Sequence, residues 1–82
     1  MQHDLYNEVE RVAVLIEKDG ESELASALRD AVSAGATGSE ICFALRFQLG
    51  RALEGPPELS ARTVAEVREL CASVERALSD LR

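Results

Sequence analysis

Apolar residues recur at intervals of three and four along the whole of this 82-residue chain, and that spacing constrains its fold more than any other feature. A period near 3.6 gathers them on one side of a helix. No stretch of strand length alternates apolar with polar, and Ala and Leu greatly outnumber Ile. Gly and Pro cut the pattern into four segments with short joins, and short joins favour antiparallel neighbours. The expected fold is all-α, a compact antiparallel four-helix bundle with a long C-terminal helix, in which residues 1–82 form a single helical domain.

The first helix is expected from about Asp4 to Lys18, on Leu5, Val9, Val12 and Ile16. Asp19-Gly20 ends it, with Gly20 suited to the left-handed position after a helix. The second runs from Glu21 or Ser22 to Ala34, with Leu24, Leu28, Ala31 and Val32 inward and Glu21 and Glu23 at its positive end. Gly35 ends it. The third opens on Thr37-Gly38-Ser39-Glu40, which reads as a capping box with Thr37 as N-cap and Glu40 reaching back. Ser39 is a rival cap. This helix extends to about Glu54, before Gly55-Pro56-Pro57. The fourth is expected to start near Pro57, a residue suited to the first helical position, and to extend towards Leu81. Its seam is Val64, Val67, Cys71, Val74, Leu78 and Leu81, a coiled-coil-like spacing.

Composition removes several classes. A chain of this length buries one thin core, which excludes a large enzyme with a deep cleft. Two cysteines cannot staple a disulfide scaffold. The longest uncharged apolar run, Val12 to Ile16, is far shorter than the ~20 residues that span a bilayer. Apolar content is too high and too regular for disorder.

Fifteen acids against nine bases give a net charge of −6. Residues 1–36 hold eight acids and three bases, so most of the negative field belongs to the first half. Such a surface disfavours nucleic acid and anionic membranes, and a basic protein is the partner it steers best. Simple solubility accounts for the same charge. Met1-Gln2-His3-Asp4 has neither a basic n-region nor an apolar h-region, and Cys42 and Cys71 suit a reducing compartment, so a cytoplasmic location is expected.

The third helix carries a conflict. At ~100° per residue, Ile41, Leu45, Leu49 and Ala52 share one face, with Ala44 and Leu53 at its edges. Phe43 and Phe47 fall on the opposite side, and Gly50 continues their row. Two Phe on an outer face need a cover. The cover weighed most heavily is the fourth helix wrapping round, and the others are a second copy of the chain or a different protein. Part of Phe43 and Phe47 is nevertheless expected to be accessible in a monomer, rimmed by Glu40, Arg46, Arg51 and Glu54. In the first helix Val14 lies opposite the apolar face between Glu10 and Glu17. Their arrangement is an acidic stripe with an apolar centre, which suits a basic partner, although a solvated face with one stray Val describes it better.

Reactive machinery is sparse. His3 is the only His, so a serine or cysteine triad of the common type has no base. Cys42 and Cys71 read as small buried hydrophobes, and their spacing matches no zinc motif. Glu66 with Glu69 is a carboxylate pair at exposed helix spacing. The free N–H groups of Gly35-Ala36-Thr37-Gly38 have no nearby cation to help hold an anion. No cofactor or metal is expected. A helix-turn-helix DNA reader needs a basic recognition helix, and the third helix is neutral.

The pattern of Gly35, Thr37, Gly38, Glu40 and Ile41 followed by Leu45-Arg46 resembles a stretch found in small uncharacterised bacterial all-helical proteins, a resemblance that brings no activity with it. The acidity, the four helices and a Ser near a helix start are similar to acyl carrier proteins. That family's phosphopantetheine-bearing Ser sits in an Asp-Ser-Leu motif opening the second helix. Here Ser39 has neither that Asp nor that Leu, and it opens the third helix. In size, charge and helicity the chain is also similar to the colicin-nuclease immunity proteins, without their tyrosine-containing recognition motif. The function expected is non-catalytic protein binding, in its most specific form an inhibitor or immunity-type protein neutralising a bacterial toxin or enzyme. The partner-binding candidates are Glu10, Val14, Glu17, Phe43 and Phe47. A self-associating homodimer and an acyl-carrier-like protein modified at Ser39 are the alternatives.

Overall fold

The computed structural model describes residues 5–35, 37–55 and 58–80. The expectations placed on His3, Asp4, Ala36, Pro56, Pro57 and Leu81 lie outside the described residues. Four helices follow one another: α1 (Leu5–Lys18), α2 (Ser22–Ala34), α3 (Gly38–Glu54) and α4 (Ala61–Asp80). There is no strand among the described residues.

Local chemistry sets most of the boundaries. After α1 the N–H of Glu21 donates to the carbonyl of Ile16 at 3.1 Å and that of Gly20 to Glu17 at 3.0 Å. These two bonds make a Schellman motif, and Gly20 supplies its left-handed residue at φ 96°. Gly35 ends α2 with extended backbone instead. Glycine is needed there because a Cβ would run into the side chain of Ile41. Thr37 caps α3: its Oγ1 accepts the N–H of Glu40 at 3.2 Å. Glu40 Oε1 accepts the N–H of Thr37 at 3.2 Å, which completes the capping box. Ser39 is thereby placed inside the first turn, not at the cap.

The start of α4 differs from expectation. It begins at Ala61, and Ser60 is its cap, Oγ accepting the N–H of Thr63 at 3.2 Å. The seam of α4 is also rotated from the expected one. Val67, Val74 and Leu78 are buried as expected, but Thr63, Leu70 and Ser73 join them, while Val64 and Cys71 are only half-buried. The reason is that α4 faces two neighbours and not one.

Each helix packs against the next in sequence, and α4 closes on α1; the backbones of the diagonal pairs α1–α3 and α2–α4 do not approach closely among the described residues. The helices lie along the long axis of a body measuring 35 × 22 × 21 Å. The 20 residues of α4 account for that length at ~1.5 Å per residue. All four helices feed one core, centred on Val12, Ile16, Leu28, Leu45, Leu49, Val67, Leu70 and Val74. Polar ties line the α1–α4 groove. Arg11 pairs with Glu66 at 3.3 Å. Buried Ser73 donates to Glu8 at 3.4 Å and accepts from Arg76 at 3.1 Å. No helix among the described residues is long and apolar enough to cross a membrane.

Candidate interaction surface

The surface is built on α3, whose apolar residues divide between two faces. Ile41, Cys42, Leu45, Leu49 and Ala52 are buried against α2 and α4. Phe43 and Phe47 face away from both and are 57% and 66% exposed. The expectation of accessible rings holds, and α4 does not wrap round to cover them. A four-helix ring gives each member two neighbours, so among the described residues no other helix covers the far side of α3. Leu53 is exposed as well, a departure from its expected place at the edge of the buried face; Ala44 is half-buried.

The rings line a shallow depression with Arg46, Gly50, Arg51 and Glu54. Arg46 stands 5.9 Å from the centroid of Phe43, within cation–π range, and pairs with Glu75 of α4 at 3.6 Å. Arg51 donates to Gln48 at 3.0 Å. Arginines therefore flank the rings, and Glu40 and Glu54 stand towards the two ends of the helix. Gly50 sits one turn beyond Phe47 in the same row. A Cβ built there would meet nothing within 4 Å.

The second candidate, the stripe of Glu10, Val14 and Glu17, differs from the sequence reading. Arg29 of α2 reaches across it. Its Nε and Nη2 donate to the two carboxylate oxygens of Glu10 at 3.0 and 2.9 Å, and its Nη1 to Glu17 at 3.3 Å. The hydrogen bond from Arg29 holds the Glu10 carboxyl below its ordinary range, against a smaller opposing effect of desolvation. Val14 is half-buried. The stripe is thus bridged by a cation from within the chain, a pairing between helices that a one-helix reading of faces does not reveal. Tyr6, 56% exposed beside Glu10 and Arg29, was not among the sequence candidates. Its position one turn before Glu10 was the available signal.

Little here suits bond-making chemistry. Burial pushes the thiol of Cys42 up, and burial with the nearby Glu75 does the same to Cys71, so both favour the protonated, unreactive form. Ser39 is half-buried in the first turn of α3. Glu66, the inner member of the carboxylate pair, is engaged by Arg11. No group of three His, Cys, Asp or Glu suited to a metal ion occurs among the described residues. No protein-family model, no curated protein and no solved structure matches this chain.

Proposed function

We propose that this chain is a non-catalytic protein-binding module whose principal contact surface is the outer face of α3. The observation that carries this reading is the pair of Phe rings, one helical turn apart and each more than half exposed, on a helix whose other face fills the core. Exposed aromatic rings with a charged rim are the chemistry of protein contacts. In its more specific form the module is an inhibitor or immunity-type protein that neutralises a basic toxin or enzyme. A net charge of −6 supports rapid capture of such a target; Glu10, Val14 and Glu17, bridged by Arg29, would lie at the margin of that contact. Two free thiols fit work in a reducing cytoplasm.

A homodimer is the second reading, favoured by one observation. Helix α3 carries Glu40, Arg46, Arg51 and Glu54 and is neutral, although the chain is strongly acidic.

The test is affinity capture from the native cell with the wild type and with Phe43→Asp/Phe47→Asp, joined to sedimentation of both. A protein held by the wild type and released by the variant, or a dimer that the variant dissociates, is the expected result. A wild type that stays monomeric and holds nothing the variant loses would end the proposal.

A further inference from the structure

We propose that the outer face of α3 receives a second copy of this chain, the two α3 helices packing antiparallel with Phe43 of each against Phe47 of the other. This rests on the reading of that face as a contact surface and names its occupant. In an antiparallel helix pair, choosing one facing pair sets all the others. With Phe43 opposite Phe47, Gly50 falls opposite Glu40 and Arg51 falls one position from Glu40, on both sides of the two-fold axis. The seam on each copy then reads Glu40, Phe43, Phe47, Gly50, stepping by three, four and three, the spacing that two helices share.

Charge complementarity selects this occupant. The same register that stacks the rings places the Glu40 carboxylate of each copy beside the Arg51 guanidinium of the other. Glu40 is already engaged within its own chain, its Oε1 accepting the Thr37 N–H, and the contact with Arg51 adds to that engagement, since a carboxylate takes several donors. Arg51 uses one N–H on Gln48 and carries four more. The face adds no pull of its own on a basic partner, because Arg46 and Arg51 offset Glu40 and Glu54. Two acidic copies meet here without net repulsion from α3, since that helix is neutral, and the two Arg46, which this register brings close to the two-fold axis, are each paired with Glu75 of their own chain.

Gly50 supplies the independent observation. A helix interior disfavours glycine. At Gly50 neither a positive φ nor a close internal neighbour calls for one. In the antiparallel pair it has a use: with no side chain there, the partner's Glu40 crosses the seam to reach Arg51.

Sedimentation equilibrium of the full chain over a wide concentration range tests this, with circular dichroism confirming that each variant is helical. The wild type is expected to dimerise reversibly. Gly50→Leu, which meets open space in the monomer, should move the dimer midpoint about tenfold or more to higher concentration without loss of helix. Arg51→Glu and Glu40→Arg should each weaken the dimer, and an equimolar mixture of the two should recover it, because both cross-pairs are then opposite in charge. If Glu40→Arg disturbs the cap and fails to fold, Glu40→Gln keeps the capping box. Added to Arg51→Glu, it should recover part of the lost association. A dimer indifferent to Gly50→Leu, or charge variants that do not recover together, would overturn the register and the proposal with it. A monomeric wild type that binds another protein through Phe43 and Phe47 would overturn the second copy and leave the contact surface standing.

Discussion

The carboxylate of Asp19 accepts the backbone N–H of Ser60 at 2.9 Å, joining residues 41 apart in sequence. Asp19 follows α1 and Ser60 caps α4, so one hydrogen bond ties the first turn of the fold to the last. The Ser60 N–H, helped by the Thr63 hydroxyl, holds the Asp19 carboxyl below its ordinary range. A depressed carboxylate adds stability above its unfolded pKa and loses it as pH falls through the folded value. Asp19→Asn should therefore lower the Tm at neutral pH, and the gap to wild type should close below about pH 4. Thermal unfolding at a series of pH values checks this, and a gap that persists at low pH would refute it.

The opposite sign is expected near the same end of the bundle. Glu21 hydrogen-bonds the Glu58 side chain, and that bond, together with desolvation and the Glu58 and Glu23 charges, raises the Glu21 carboxyl above its ordinary value. A raised group contributes stability below its unfolded pKa and loses it as pH rises through the folded value. At neutral pH the two carboxylates repel. Glu58→Gln should raise the Tm at pH 7 and lose that advantage below about pH 4, read from the same unfolding series.

Two glycines should respond oppositely to alanine. At Gly35 the new methyl runs into Ile41, and overpacking of this kind costs about 1–3 kcal/mol. At Gly50 the methyl meets open space in a helix interior, where alanine is favoured by about 1 kcal/mol. Denaturant unfolding at a dilution where the chain is monomeric should show Gly35→Ala less stable than wild type and Gly50→Ala more stable.

Neighbouring positions on α3 should divide in the same manner. Leu45 is wholly enclosed, and its truncation to alanine is expected to remove about 2–5 kcal/mol. Phe47, two residues further on, is mostly in solvent, so Phe47→Ala should leave monomer stability within about 0.5 kcal/mol. Equal losses at the two sites would show that the ring is part of the core and not a contact surface.

What could be read from the residues alone follows from how local each determinant is. Thr37 and Glu40 sit three apart and satisfy each other, so the start of α3 was visible. Gly20 was visible for the same reason. The start of α4 was not, because Pro57 and Ser60 both signal a helix start, and Ser60 has in addition an anchor 41 residues away. Leu70 and Cys71 are adjacent and both apolar; which one turns inward depends on α4 touching α1 as well as α3. On the candidate surface, the exposure of Phe43 and Phe47 followed from counting faces on one helix. The quenching of the Glu10–Glu17 stripe did not, since Arg29 comes from another helix.

The ring-like order of neighbours has a kinetic consequence. Apart from closure of α4 onto α1, every packed pair of helices is adjacent along the chain. Little loop entropy is lost before native contacts begin to form, and helical proteins of this kind fold in microseconds to milliseconds. The α1–α4 groove, with Arg11 on Glu66 and Ser73 on Glu8, joins the segments most distant in sequence, so its closure carries the largest loop-entropy cost of the four packed pairs.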